Sequence, residues 1–365
     1  CGGVTAQVTD YGATLVSLLV PDKEGTLADV VLGYDDCEGY AAGDACLGAT
    51  VGRNANRIAG AAFTLGKKAV HLTPNENGNN LHSGPDMYFK RMWALVSASN
   101  TAVTFGLHSP HGDQGFPGNA DIRVTYSLDA TGGVHIVYDA QCDQDTVFNL
   151  TNHSYFNLRG QAHTDSAMEQ LLSLPARFFN PDDAQAIPTG EKRSVEGTPM
   201  DFRSPKAIGQ ELHADYEPLK LQGGYDHNFE VFCNPCAQLT DPVSGRSMAV
   251  FTDCPGIQFY SGNFLNETGK GGVYYGKNSG VALETQFYPD SLHHPGWPQP
   301  ITRAGETVDV HPTFLYESVW NAVGFVLLHV LSKHRKYDGE IALGYVAWYG
   351  LGRCLIEGLR MDSLY

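Results

Sequence analysis

Val147-Phe148-Asn149-Leu150-Thr151-Asn152-His153-Ser154-Tyr155-Phe156-Asn157-Leu158 reads with the two-residue period of a β-strand. Asn149, Thr151, His153, Tyr155 and Asn157 share one face, and Phe148, Leu150, Phe156 and Leu158 share the other. The apolar set is the expected core face, where Asn152 and Ser154 also fall and need partners. The polar set carries amides, a hydroxyl, an imidazole and a phenol. It has none of the Lys, Glu or Asp that an ordinary solvent face displays. Such a face suits hydrogen bonding to a hydroxyl-rich ligand.

Working outward, strand signals dominate from residue 4 to about residue 310. Candidates are 15–20, 28–32, 103–107, 122–128, 134–138, 248–252, 257–260 and 281–287, besides the run 147–157. Turn chemistry separates them: Ser109-Pro110-His111-Gly112-Asp113, Phe116-Pro117-Gly118-Asn119, Thr131-Gly132-Gly133 and Pro242-Val243-Ser244-Gly245. No long helical periodicity and no internal repeat occurs in this part. The expected class is all-β, an antiparallel sandwich or barrel of many strands.

Composition agrees. The 365 residues include 41 Gly, 19 Pro, 18 Tyr and 17 Phe, and 42% are hydrophobic, which suits strands and tight turns and excludes a disordered chain. With 24 basic against 40 acidic residues and a net charge of -16, the basic footprint that nucleic acid requires is missing. The eight cysteines show no disulfide framework, and Cys233-Asn234-Pro235-Cys236 lacks a second pair at zinc-ligand spacing, so that segment reads as a loop. Reduced thiols and no leader before Cys1 give a cytoplasmic expectation.

Other segments are polar without being simple loops. In 280–287, Glu284 and Gln286 lie opposite Val281, Leu283 and Phe287, with Gly280 and Ala282 leaving room beside the carboxylate. Gln258 and Tyr260 share a face opposite Ile257 and Phe259. Gly52-Arg53-Asn54-Ala55-Asn56-Arg57-Ile58 carries two arginines and two amides. Asn79-Asn80-Leu81-His82-Ser83-Gly84 sets His82 in a turn, and Gly223-Gly224-Tyr225-Asp226-His227-Asn228 sets Asp226 behind a glycine pair. Each alone is consistent with turn chemistry. No phosphate loop, dinucleotide fingerprint or metal-spaced histidine pair appears, and His293-His294 reads as a loop.

Together, and in order, these segments resemble the aldose 1-epimerase (galactose mutarotase) family over about residues 4–307. The match runs through Tyr11-Gly12-Ala13-Thr14, Gly52 to Arg57, Asn80-Leu81-His82 and Asn152-His153-Ser154-Tyr155-Phe156-Asn157. It continues through Gly224-Tyr225-Asp226-His227, Gln258-Phe259-Tyr260-Ser261-Gly262-Asn263 and Leu283-Glu284-Thr285. The resemblance implies a large antiparallel β-sandwich with a sugar in an open cleft. It places Glu284 at the family's general base and His153 at its general acid. Asn56, Arg57, His82, Asp226 and Gln258 fall at sugar-contacting positions. Ser83, where many members have Gly, is a departure expected to matter little. Interconverting hexose anomers takes a proton from the C1 hydroxyl and gives one to the ring oxygen, which needs neither cofactor nor metal. A nearby acid such as Asp226 is expected to keep the His153 imidazole protonated near neutral pH. Two rival readings are a glycosidase using Asp226 and Glu284 as its carboxylate pair and a non-catalytic sugar-binding module.

The chain changes character at residue 310. Residues 1–309 carry the whole negative charge, because 311–365 hold five acidic and five basic residues. Two apolar runs, 319–331 and 341–356, flank a basic turn and read as a helical hairpin, each run shorter than the roughly 20 residues that span a bilayer unaided. His311-Pro312-Thr313-Phe314-Leu315-Tyr316-Glu317 and Tyr349-Gly350-Leu351-Gly352-Arg353 resemble a C-terminal portion of prolipoprotein diacylglyceryl transferase. That family's upstream membrane helices are missing, so transferase activity is not expected, while membrane association of the hairpin is left open. The epimerase pattern is expected to stop near Gly305-Glu306, before a closing strand. A fused reading frame explains both truncations better than a bifunctional enzyme.

Overall fold

The structure, a computed structural model, describes residues 2–309. The expected hairpin and the transferase-like segments fall outside them.

Alternation in the sequence becomes alternation in burial. Along Ala120–Leu128, Ala120, Ile122, Val124 and Tyr126 are buried while Asp121 and Arg123 are exposed. The strand therefore lays one face on the core and one in water. It pairs in continuous register with Val134–Cys142 across a tight turn, whose geometry Asp129 sets by accepting from Thr131 N (2.8 Å) and Gly133 N (2.9 Å). Ala102–Ser109 and Ala94–Ala98 extend the sheet on one side and Thr307–Asp309 on the other, making five strands. That last strand corrects an expectation: beyond the Gly305-Glu306 turn, Thr307 and Val308 pair with Gln141 and Ala140 and close the sheet edge.

A six-stranded antiparallel sheet runs in the order Tyr155–Phe156, Val281–Gln286, Gly256–Tyr260, Asp226–Glu230, Phe178–Phe179, Arg193–Ser194. Its register decides the chemistry. Asn228 pairs with Gln258, which pairs with Glu284; Asp226 pairs with Tyr260, which pairs with Ala282. Directly opposed residues share a face, so Asp226, Gln258, Tyr260 and Glu284 stand on one side of the sheet. Phe229, Ile257, Phe259, Val281 and Leu283 stand on the other, in one buried cluster with Phe105, Ile122, Val124 and Tyr138 of the five-stranded sheet. The core thus lies between the two sheets. Truncating Phe229 or Phe259, both fully buried, to Ala is expected to cost about 3–5 kcal/mol.

The run 147–158 departs from the single continuous strand expected. It breaks into Thr146–Val147, Thr151–His153 and Tyr155–Phe156, which pair with Ile301–Thr302, Ala49–Val51 and Val281–Ala282 respectively. The chain crosses the interior, and all five polar-face residues are buried. Asn149 accepts from Phe287 N (2.8 Å), and Asn157 accepts from Ser166 Oγ (3.0 Å) and Gln170 Nε2 (2.9 Å). These two amides satisfy backbone and side-chain groups along the crossing segment rather than facing water.

Arg53 is 1% exposed and holds three distant segments together. Its guanidinium donates to Pro117 O (2.8 Å), Gly118 O (3.2 Å), Thr146 Oγ1 (3.1 Å), and to Ser109 O (3.2 Å) and Oγ (2.5 Å). Of the two arginines in 52–58, this one is part of the framework.

Candidate active site

Four residues beyond Arg53, the same segment reaches the open face of the six-stranded sheet. Ala55 N donates to Asn149 O (2.7 Å), and Asn56 turns into the left-handed region at φ 61°, its Oδ1 accepting from Arg57 N (2.9 Å). Asn tolerates that conformation better than most residues. Asn56 N donates to His82 Nδ1 (3.1 Å), so the neutral His82 ring carries its proton on Nε2. Arg57 is oriented by a two-point pair with Glu76, Nε to Oε2 at 2.6 Å and Nη2 to Oε1 at 2.9 Å.

His82 and Ser83 both have positive φ, 52° and 57°. Ser83 is more than a neutral replacement for glycine. Its Oγ accepts from Asn54 N (2.8 Å) and donates to Asn54 O (3.0 Å), clamping the two loops that carry Asn56 and His82.

His153 and Glu284 meet at the centre. Nε2 lies 3.5 Å from Oε1, with both side chains under one-tenth exposed. The His153 ring packs against His82, Tyr155 and Tyr260, at centroid separations of 5.7, 5.0 and 6.4 Å. Beside Glu284 in register, Gln258 donates from Nε2 to Asp226 Oδ1 (2.8 Å). Among the described residues, Glu284 Oε2, His153 Nδ1 and Gln258 Oε1 are buried without a hydrogen-bond partner. Unpaired polar atoms are costly in a protein interior unless a ligand supplies the missing partner. All seven residues singled out from the sequence (Asn56, Arg57, His82, His153, Asp226, Gln258 and Glu284) come together here.

The electrostatics correct one expectation. Burial lowers His153 to about 4, so no neighbouring acid keeps its imidazole protonated near neutral pH. The carboxylate beside the imidazole is Glu284, itself pushed well above its ordinary value, first by burial and then by Asp226, with Arg57 opposing. A dry cleft disfavours both charged forms, so His153 and Glu284 behave as a coupled pair sharing one proton. Asp226 is also raised, mainly by burial, against the pull of Arg57 and the Gln258 hydrogen bond.

Residues 2–314 match the sequence model of the family Aldose 1-epimerase. The chain belongs to the aldose 1-epimerase family. Galactose mutarotase of Mus musculus is 41% identical over 322 residues, covering 87% of this chain and 92% of the relative. Aldose 1-epimerase of Haemophilus influenzae is 42% identical over 300 residues, 81% of this chain and 86% of that protein. Among solved structures, the aldose epimerase homologue of C. elegans superposes with a TM-score of 0.78 at 33% identity, covering 84% of this chain and 94% of its own. Galactose 1-epimerase of Lactobacillus acidophilus gives 0.74 at 29% identity, covering 84% and 89%.

Two residues of this epimerase cleft went unread in the sequence. Glu76 sits in Asn75-Glu76-Asn77-Gly78, whose composition says only turn, yet it orients Arg57. Asp182, in Asn180-Pro181-Asp182-Asp183, is 9% exposed and lies within electrostatic reach of Asp226 and Arg57. Neither residue lies on a strand with a recognisable period, so no spacing signal marks it.

Proposed function

We propose that the protein interconverts the α and β anomers of a neutral hexose such as galactose or glucose, with Glu284 as general base and His153 as general acid. The observation that carries this reading is the buried His153–Glu284 pair, 3.5 Å apart, with unpaired atoms on both side chains.

Ring opening needs two proton movements. The Glu284 carboxylate takes the proton of the C1 hydroxyl, and that O–H electron pair forms the C1 carbonyl as the bond from C1 to the ring oxygen breaks. The ring oxygen leaves with the bonding pair and receives the proton of the His153 imidazolium. Rotation about C1–C2 presents the other face of the carbonyl, and the same steps run backwards to close the ring. The pair begins and ends with one proton, as its shared titration requires. Ring opening draws on the form with the proton on His153; sugar hydroxyls donating to Glu284 stabilise that charged arrangement in place of water. Asn56, Arg57, His82, Asp226 and Gln258 are assigned to hold the remaining hydroxyls, the amides, the Arg57 guanidinium and the neutral His82 Nε2–H donating and the Asp226 carboxylate accepting.

Polarimetry tests the proposal: freshly dissolved α-galactose or α-glucose should reach its equilibrium rotation faster in proportion to enzyme concentration. A nitrophenyl galactoside should release no nitrophenol. Glycoside turnover with no effect on the rotation of free sugar would replace this reading with the hydrolase that Asp226 and Glu284 suggest. Sugar binding without either activity would leave only a binding module.

A further inference from the structure

Next to the proton-transfer pair, on the same face of the six-stranded sheet, lies a second polar layer that the mechanism leaves unused. Register places it. Glu284 pairs with Gln258 and Gln286 pairs with Gly256, so Gln286 follows Glu284 on the cleft face. On the other flank Tyr155 pairs with Ala282. Stepping back by two sets His153 beside Glu284, as their 3.5 Å contact shows, and then Thr151 beside Gln286. One step further, Asn149 Oδ1 accepts from Phe287 N (2.8 Å), so the alignment holds along the run.

Thr151 and Gln286 are both fully buried. Among the described residues, Thr151 Oγ1 and both amide atoms of Gln286 have no hydrogen-bond partner, and neither do Asn228 Oδ1 and Glu284 Oε2. Gly256 keeps the layer open, because a Cβ there would stand 2.3 Å from Asn228 Oδ1. A buried amide with neither atom paired is costly. The unpaired atoms, however, match one another. Thr151 has one O–H, which Gln286 Oε1 can accept. Gln286 Nε2 has two N–H, for which Glu284 Oε2 and Asn228 Oδ1 are acceptors. Successive same-face residues on a strand are roughly 7 Å apart, a span that Glu and Gln side chains bridge by rotation. The bond to Glu284 is the strongest of the three once that carboxyl is charged, and the charged carboxylate is the form that ring opening draws on.

We infer that Gln286 is a positioning residue for the general base: steadied by Thr151 and Asn228, its amide donates to Glu284 Oε2 and favours the arrangement with the proton on His153. This rests on the epimerase reading above, which gives Glu284 its role.

The test compares wild type with Gln286→Met, close in length but without a polar terminus, and with Thr151→Val. Initial mutarotation rates of α-galactose are followed across pH, and thermal unfolding checks that each variant is folded. The Glu284 carboxyl is titrated by carbon NMR, its signal assigned by its absence in Glu284→Gln. Gln286→Met should lose about tenfold or more in kcat, with KM within about threefold. Without the donor the charged carboxylate is less stable, so the pair keeps its last proton to higher pH. The alkaline limb of kcat should therefore move up by about one pH unit. The other titratable or charged groups within electrostatic reach of Glu284 are His153, Asp226, Arg57, Tyr155, Tyr260 and Cys46, and neither substitution alters them. Thr151→Val should act in the same direction, more weakly, and add little in the double variant. A folded Gln286→Met with unchanged kcat overturns the proposal. So does a loss of kcat with an unmoved alkaline limb, the mark of a purely structural role. If wild type accelerates no mutarotation, the epimerase reading fails on its own and the carboxyl titration decides the contact. A raised Glu284 value in Gln286→Met then upholds it, and an unmoved value overturns it.

Discussion

Replacing Glu284 with Gln is the most direct probe of the cleft. The amide has the same outline as the carboxyl, and the site has no room for rearrangement: the side chain is 3% exposed, with His153 Nε2 at 3.5 Å. Gln cannot take a proton from the C1 hydroxyl, so the general-base contribution is lost, about 10²–10⁴-fold in kcat/KM. That corresponds to about 3–5 kcal/mol of barrier. The fold should not suffer, because a neutral amide replaces a group whose charged form burial already disfavours. The assay is the relaxation of freshly dissolved α-galactose followed by polarimetry, with the spontaneous rate subtracted. Thermal unfolding runs alongside it. The expected result is a kcat/KM at least a hundredfold lower and a melting temperature equal to or above wild type. Activity within tenfold of wild type would refute the assignment of Glu284 as base. A loss that merely tracks a lowered melting temperature would show that the carboxyl serves the fold instead.

The pH dependence follows from the directions of the two shifts. His153 is depressed to about 4, so only below that does the pair take a second proton and Glu284 cease to act as a base. Glu284 is raised, so on the alkaline side activity falls when the pair loses its last proton and His153 has none to give. The kcat profile should be flat through neutrality, and an acid limb at an ordinary histidine value of about 6.5 would contradict the coupling. Glu76→Gln should free Arg57 from its two-point contact and raise KM about fivefold, on the order of 1 kcal/mol for a partly exposed pair, with a smaller change in kcat in initial-rate measurements. Ser83→Gly relieves the positive φ but removes both Oγ bonds to Asn54, leaving a buried N–H unpaired. Ser83→Ala loses the bonds and keeps the strain, so melting temperatures should fall in the order wild type, Ser83→Gly, Ser83→Ala, the last two separated by about 1 kcal/mol. A Gly variant as stable as wild type would show that the clamp contributes nothing.

The long strands were legible because their period survives folding. Ala120–Leu128 alternates in sequence as it does in burial, and Val281–Gln286 keeps its alternation of residue types although both of its faces are covered. The shared face of Gln258 and Tyr260, and that of Ala282, Glu284 and Gln286, follows from the same rule once the strands pair. The run 147–158 misled because the same alternation is compatible with a segment that crosses the interior and pairs with three partners in turn. Asn149 and Asn157 satisfy buried groups, which period alone does not distinguish from a wet face. The protonation of His153 was misread because desolvation is a property of the whole cleft, not of any one neighbour. Glu76 and Asp182 were invisible for a related reason: turns bring them to the cleft, and turn composition says nothing about where a turn's side chain ends up.

Arg53 has a consequence for how the cleft meets a ligand. Its ties to Ser109, Pro117, Gly118 and Thr146 make the Asn56–Arg57 loop part of the same cooperative unit as the large sheet. Freeing the loop would strand a buried guanidinium. Amide hydrogens of residues 54–57 should therefore exchange only with global unfolding, not through local opening. A sugar arriving at such a site finds its contacts already arranged. Little ordering accompanies binding, so the heat-capacity change should reflect surface burial alone, and affinity is set by hydroxyl pairing rather than by loop closure.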